Sequence, residues 1–185
     1  MRLPVASFDP SLTHWGWATA NIDLQTGDAL DLKIGTIITE KQSGKGIKPN
    51  RDDLRRGVLL AQGVIPLAQG AKVIFAEIPT GSQSASAMKS YGFCVMLLAS
   101  LRAQGHFIIE VDPTTVKELF TGDKWATKRE MIKTAVSLFP QADWPRHGKA
   151  QRVTDSAEHM ADAVAIINAG MQSPEFSQFL EHYAP

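Results

Sequence analysis

The sequence predicts an α/β fold in which a mixed five-stranded sheet carries helices on both faces. Three strand-like segments come first and are joined by short turns, which favours antiparallel pairing. The later strand-like segments alternate with helical ones, an order typical of parallel strands joined by helices. The chain has 185 residues, of which 44% are hydrophobic and 21% are charged. This is enough for one sizeable core, so we expect residues 1–185 to form a single domain.

The N-terminal part of the chain predicts the antiparallel half of the sheet. Its first strand-like segment is an apolar run, which is typical of a buried strand. A polar connection containing Gly27 separates the second and third segments, as in a hairpin. The strands are predicted at 3–8, 15–22 and 31–39. Residues 41–50 combine Gly, Lys, Pro and Asn without an apolar period and predict a loop.

The remaining sequence predicts the parallel half of the sheet and its helices. Apolar residues recur at helical spacing from 51 to 69, and Gly70 follows as a helix end. Residues 72–77 are almost continuously apolar, as expected of a strand covered on both faces. The other elements are predicted as a helix at 83–104, a strand at 106–111, helices at 114–120 and 127–139, a basic loop at 140–152, a helix at 155–169 ended by Gly170, and a short helix at 174–182.

Composition narrows the possible location of the protein. The sequence has no run of 18 apolar residues, so no transmembrane span is expected. The N-terminal residues lack the apolar stretch of a signal peptide. Cys94 is the single cysteine, which excludes an internal disulfide and suits a reducing compartment. We therefore expect a cytoplasmic protein.

Charge is balanced overall but unevenly distributed. The formal net charge is zero. Residues 117–152 hold eight Lys or Arg and four Asp or Glu, whereas residues 153–185 hold five acidic residues and no Lys or Arg. Such runs are often solvated faces. They are also the pattern of a cationic rim around an anionic pocket, which suits a protein that binds nucleic acid.

Four residues distant in sequence are candidates for one metal site. Asp9 and Glu77 each end an apolar strand, and His159 and Asp162 lie three apart on a predicted helix, hence on one face. Two strand ends and a helix face can direct oxygen and imidazole ligands at one point. Carboxylate clusters are the usual protein contribution to a Mg²⁺ site that acts on phosphates.

Each of these residues also has a structural interpretation. Asp9 can be a turn residue or a helix N-cap before Pro10. A single helical histidine is more often a surface residue, and His159 can serve as a metal ligand or as the base for an attacking water. Asp155 and Glu158 fit an N-cap and N3 pair at the start of the last long helix. Glu77 has the weakest structural interpretation, since Glu is rarely buried without a partner.

Four segments, in order, resemble the acidic and basic motifs of RuvC-type Holliday junction resolvases of the RNase H-like superfamily. The resemblance covers about residues 3 to 169, and the ordered set is more specific than any one segment. The segments are Phe8-Asp9-Pro10-Ser11 with Gly16-Trp17-Ala18, then Ile74-Phe75-Ala76-Glu77, then Val116-Lys117 with Thr121-Gly122 and Lys128, and finally Ala161-Asp162-Ala163-Val164-Ala165-Ile166.

The resemblance implies a role for each candidate residue. Asp9 would bridge two Mg²⁺ ions about 4 Å apart, for which Mn²⁺ can substitute. Glu77, His159 and Asp162 would complete the ligands; many of these resolvases have Asp where this chain has His159, and related RuvC-like nuclease domains have a similar His/Asp pair. Lys117 and Lys128 would stabilise the charge that develops on the phosphate. DNA contacts are expected from Ser82, Lys124, Lys149 and Arg152.

The resemblance also implies an activity. We expect a homodimeric, Mg²⁺-dependent endonuclease that cuts four-way DNA junctions and leaves 5′-phosphate and 3′-hydroxyl ends, from a bacterium or a phage. We predict that the helix at 83–104 contributes to the dimer contact through Met88, Phe93, Met96 and Leu97. Two alternatives remain open: a nuclease for other branched DNA or RNA–DNA hybrids, and a metal-independent protein that only binds junctions.

Overall fold

The predicted mixed sheet is confirmed. The structure, a computed structural model, describes residues 1–79 and 84–183. Five strands pair in the order β3-β2-β1-β4-β5. The pairs β1–β2 and β2–β3 are antiparallel, and β1–β4 and β4–β5 are parallel. The strands are β1 (Arg2–Asp9), β2 (His14–Asp23), β3 (Ala29–Ile38), β4 (Val73–Glu77) and β5 (Ile108–Val111).

Helices cover both faces of this sheet, as predicted. They are α1 (Pro49–Gln69), α2 (Ala85–Ala103), α3 (Pro113–Thr121), α4 (Lys128–Leu138), α5 (Glu158–Met171) and α6 (Pro174–Tyr183). Helices α1 and α2 pack on one face, and α3 to α6 pack on the other. Alternation along β4 explains the two cores: Val73 and Phe75 face α5, whereas Ile74 and Ala76 face α1 and α2. No helix within the described residues is long and apolar enough to cross a membrane.

Helix α5 lies closest to the sheet because its contact face is made of small residues. A Cβ atom added to Gly170 would lie 2.1 Å from Cδ1 of Phe75, so only glycine fits this close approach. The Ser7 hydroxyl donates a hydrogen bond of 2.6 Å to the Ala163 carbonyl, which ties β1 to the middle of α5. Gly170 therefore packs inside the helix, and the predicted helix end at this residue is wrong.

The segment predicted as a basic loop contains a small hairpin. Strands β6 (Arg146–His147) and β7 (Arg152–Val153) pair antiparallel, with positive φ angles of 74° at Gly148 and 48° at Gln151 in the turn between them. Two-residue strands carry too short a pattern to be recognised in sequence. A short 3₁₀ turn at Asp155–Ala157 then leads into α5.

A buried arginine fixes the connection that follows β1. Arg56 of α1 is only 6% exposed. Its Nε donates to Thr39 Oγ1 at 2.9 Å, and its Nη2 donates to Thr13 Oγ1 at 2.9 Å and to the Leu12 carbonyl at 3.3 Å. Thr39 N also donates to the Thr13 carbonyl at 2.9 Å. These bonds hold the turn directly after Asp9, so that end of β1 has a defined position.

Candidate metal centre

Two acidic side chains leave the sheet at the same edge and on the same face. The parallel register pairs Phe8 of β1 with Ala76 of β4, and Asp9 and Glu77 are the next residues on these strands. Ser7 and Phe75, two residues earlier, both face α5. Since side chains alternate along a strand, Asp9 and Glu77 face the same side.

Glycine in the neighbouring strand lets α5 bring its first turn to Asp9. Gly16 of β2 pairs with Asp9 across the antiparallel ladder. A Cβ atom at Gly16 would lie 2.1 Å from the carbonyl oxygen of His159, so any larger residue would displace the helix. In the space that glycine leaves, His159 Nδ1 lies 2.7 Å from Asp9 Oδ2.

Asp9, His159 and Asp162, three of the four predicted metal ligands, converge on one point. One ligand atom from each of the three side chains lies within 4.8 Å of the other two, and all three are partly buried. Carboxylate oxygens are the ligands that Mg²⁺ and Mn²⁺ prefer, and imidazole is a common ligand of divalent transition metals. The group can therefore hold a divalent ion.

The charges of the pocket favour a cation. Burial raises the pKa of Glu77 to about 7, and the charges of Asp9 and Asp162 act in the same direction. Burial likewise raises the pKa of Asp162 to about 7, with further contributions from Asp9 and Glu158. The uncompensated negative charge would be relieved by a bound divalent ion, so the residues fit the ion that the carboxylate cluster implies.

The imidazole of His159 is hydrogen-bonded to the carboxylate of Asp9. The hydrogen bond from His159 to Asp9 raises the pKa of the imidazole, which stabilises its protonated form. A histidine that ligates a metal must be neutral. Ion binding through His159 would therefore release a proton, and ligation through Nδ1 would also break the contact with Asp9.

These shifts predict that the metal-free protein loses stability as pH rises. Glu77 and Asp162 have raised pKa values in the folded chain, from ordinary values of 4.5 and 3.8 to about 7. The folded state therefore binds more protons than the unfolded state, and this contribution to stability is present at low pH and disappears as pH rises through about 7. In chelator, we expect a higher free energy of unfolding at pH 5 than at pH 8 from this contribution, whereas Mg²⁺ should stabilise the fold mainly at pH 8.

Glu77→Gln is the matched control for this experiment, because it keeps the side-chain shape and removes one titrating group. Chemical denaturation of both proteins across the pH range isolates the contribution of Glu77. Identical pH profiles for the two proteins, or Mg²⁺ stabilisation that does not depend on pH, would contradict the charge distribution described above.

Both predicted phosphate-binding lysines lie close to the acidic residues. Lys117 on α3 lowers the pKa of Glu77 and of Asp162, although burial and the acidic neighbours have the larger effect. Lys128, at the start of α4, forms a 2.5 Å ion pair with Glu158. This pair, followed by the charges of Asp162 and Asp9, raises the pKa of Lys128.

The predicted capping role of Asp155 and Glu158 is wrong. The N-cap of α5 is Ala157, without a side-chain capping bond, and Asp155 belongs to the preceding 3₁₀ turn. Glu158 instead pairs with Lys128. The 3₁₀ turn moves the start of α5 to Glu158, so Asp155 does not lie at the N-cap and Glu158 does not lie at N3.

The four predicted DNA contacts lie in different parts of the chain. Lys124 lies in the α3–α4 connection, with its Nζ 5.5 Å from the centre of the Trp125 ring. Lys149 and Arg152 lie exposed on the β6–β7 hairpin. Ser82 lies outside the described residues.

Two residues at the site were not identified from the sequence. The ring of His14, the first residue of β2, stacks on that of His159, with centroids 5.4 Å apart and an interplanar angle of 8°. Nothing in the pattern around His14 indicates this contact. Asp112 accepts hydrogen bonds from Thr114 N and Thr115 N at the start of α3 and contributes to the raised pKa of Glu77. The pair Asp112-Pro113 after a strand is a recognisable helix start and could have identified this residue.

The fold of this chain is similar to that of three solved structures, two of RuvC and one of a Holliday junction resolvase. The structure described as T. thermophilus RuvC in complex with Holliday junction substrate matches with a TM-score of 0.62 and 18% identity, over 90% of this chain and 92% of that chain. Another Thermus thermophilus RuvC structure matches with a TM-score of 0.55 and 17% identity, over the same shares of the two chains. The yeast mitochondrial Holliday junction resolvase Ydc2 matches with a TM-score of 0.54 and 13% identity, over 97% of this chain and 82% of that chain.

No protein-family model and no curated protein matches the sequence. The structural likeness therefore rests on the arrangement of elements, and at these identities it shows the fold. The chain has the RNase H-like fold of RuvC-type resolvases, as its four ordered segments predicted.

Proposed function

We propose that this chain is a Mg²⁺-dependent, structure-selective DNA endonuclease that resolves four-way junctions. The observation that carries the proposal is the convergence of Asp9, His159 and Asp162 within 4.8 Å, beside Glu77, on a fold shared with a RuvC bound to a Holliday junction. Fold alone does not determine function, so the acidic group provides the argument for nuclease chemistry.

The residues of the pocket would have different roles. Asp9, Glu77, Asp162 and His159 would hold the ions, with Asp9 as the shared ligand. Bound Mg²⁺ ions would supply an activated water and stabilise the leaving 3′-oxygen, which leaves 5′-phosphate and 3′-hydroxyl ends. The alternative role of His159 is the base for that water, which requires the neutral imidazole. Its contact with Asp9 Oδ2 at 2.7 Å supports this role, because it holds the ring beside the proposed metal ligands.

Two lysines would stabilise the negative charge of the scissile phosphate. Lys117 already interacts with the pocket carboxylates. Lys128 is 75% exposed and paired with Glu158. Exchanging this partner for a phosphate costs little, because an ion pair with one exposed member contributes about 1 kcal/mol or less.

Cleavage of a substrate panel tests the proposal. The panel contains a four-way junction, a flap, a linear duplex and an RNA–DNA hybrid, each with Mg²⁺ or with chelator. Paired symmetric cuts in the junction, dependent on Mg²⁺, are expected. Preferred cutting of the flap or the hybrid would instead indicate a nuclease for other branched DNA or for RNA–DNA hybrids. Junction binding without any cutting would indicate a protein that binds junctions independently of metal.

We also propose that the active form is a homodimer, because two symmetric cuts require two sites related by a two-fold axis. Helix α2 offers the contact surface. Val95 and Met96 are 39% and 67% exposed, whereas Phe93 and Leu97 pack partly against the core between α2 and the sheet. Of the four contact residues predicted from the sequence, Met88 and Met96 are therefore exposed, and Phe93 and Leu97 are partly buried.

Met96→Glu is expected to shift the dimer towards monomer, because a buried unpaired charge at an interface costs several kcal/mol. Light scattering at micromolar concentration measures the change. Leu138→Glu is the matched control, since Leu138 is 55% exposed but lies on α4 at the other face of the sheet. Monomeric wild-type protein in the presence of junction DNA, or an equal effect of both variants, would refute the role of α2.

A further inference from the structure

Trp125 is the most exposed large hydrophobic side chain among the described residues, at 77%. Two of the other three tryptophans, Trp15 and Trp144, are buried, and the ring of Trp17 packs over Gly35. Tryptophan is highly buried on average, and its exposure is characteristic of binding surfaces. The exposure of this one indole therefore requires an explanation.

The turn that carries Trp125 is rigid. The backbone N–H of Trp125 donates to Asp123 Oδ1 at 2.8 Å, and the N–H of Ala126 donates to the Asp123 carbonyl at 3.0 Å. Ala126 is buried in the core, and Thr127 and Glu130 form a capping box at the start of α4. An indole next to a buried residue and a capped helix is presented to solvent by the fold, and is not exposed through fraying.

The surroundings of this indole are cationic and border the acidic pocket. Lys124 Nζ lies 5.5 Å from the ring centre. Lys128, three residues further on, forms an ion pair with Glu158, which directly precedes His159 of the acidic pocket. An exposed aromatic ring between lysines, at the rim of a site for phosphates, has the composition of a surface that stacks nucleic-acid bases and tracks the backbone.

We propose that Trp125 stacks on an unpaired base of the DNA bound across the acidic pocket, close to the branch point. This inference rests on the proposed function and adds the residue that distinguishes branched from linear DNA. An intact duplex keeps its bases stacked on one another, whereas a branch point exposes base faces. Stacking on such a face strengthens binding to branched DNA, whereas duplex DNA is bound through the lysines alone.

Binding of Trp125→Ala, Trp125→Phe and Lys124→Ala to a four-way junction and to a linear duplex, in chelator, tests this inference. Trp125→Ala should lose one stacked base, and therefore weaken junction binding about tenfold, or about 1.4 kcal/mol, and change duplex binding little. Trp125→Phe should retain most of the junction affinity. Lys124→Ala should weaken both substrates equally and reduce the salt dependence of binding.

Tryptophan fluorescence distinguishes stacking on DNA from a structural role of Trp125, because a purely structural residue would show no change in fluorescence when DNA binds. Junction DNA should quench the fluorescence of the wild type, and this quenching should disappear in Trp125→Phe although binding persists. Equal junction affinity of wild type and Trp125→Ala, or a changed oligomeric state of Trp125→Ala without DNA, would overturn the inference. If the wild type cuts junctions while Trp125→Ala binds and cuts them equally well, only the inference fails. If the wild type neither binds nor cuts them, the proposed function fails with it.

Discussion

Asp9→Asn is expected to reduce the rate of junction cleavage at least about 1000-fold, because it removes the carboxylate shared by the bound ions and several kcal/mol of transition-state stabilisation. Glu77→Gln should have a comparable effect through the loss of one ligand charge. Both variants should still bind the junction, since the amides keep the shape of the side chains and lower the repulsion of phosphates. Single-turnover cleavage with Mg²⁺ and gel-shift binding in chelator separate the two properties.

Asp31→Asn is the matched control for these variants. Asp31 is an exposed carboxylate that pairs with Arg2, and Arg2 begins the strand that Asp9 ends. The control should therefore cut at the wild-type rate. Full activity of Asp9→Asn or Glu77→Gln would overturn the assignment of the metal ligands.

Gly16→Ala is expected to lower the free energy of unfolding by about 1–3 kcal/mol and to reduce cleavage about 100-fold. The added Cβ would lie 2.1 Å from the His159 carbonyl and 2.9 Å from the His159 Cβ. The first of these contacts is with backbone, so the helix itself must move. That movement would separate His159 and Asp162 from Asp9 and spoil the geometry of the site.

Gly70→Ala is the corresponding control, because a Cβ atom at this exposed residue after α1 would meet only the Leu67 carbonyl at 3.6 Å and the Pro66 carbonyl at 3.8 Å, which are ordinary contacts. Gly70 has a φ of −77° and a ψ of −11°, which alanine adopts without strain, so this variant should be at least as stable as the wild type and fully active. Denaturation and cleavage assays on both variants test the prediction. An active, stable Gly16→Ala would show that α5 is not held by this contact.

The sheet and the positions of the candidate ligands were predictable where the sequence pattern is regular. The apolar runs before Asp9 and Glu77 identified two strand ends, and the spacing of His159 and Asp162 identified one helix face. Parallel pairing of β1 with β4 then followed from the order of the elements, and the structure confirms it. Periodicity and chain order were sufficient for these features because both are local properties of the sequence.

Contacts between residues that are distant in sequence were not predictable. The Gly16 contact with His159 joins residues more than 140 positions apart, and a glycine in a strand does not reveal what approaches it. The His14 stacking and the Lys128 pair with Glu158 have the same origin. Each arises from the position of α5 over the sheet, which is set by packing and not by the local pattern.

Anomalous diffraction from crystals soaked in Mn²⁺ would locate the ions without relying on activity. We expect Mn²⁺ in the pocket at the carboxyl ends of β1 and β4, coordinated by Asp9 together with Asp162 or Glu77. A pocket without Mn²⁺ at saturating concentration, or carboxylates of Asp9 and Asp162 too far apart to share a bound ion, would contradict this expectation.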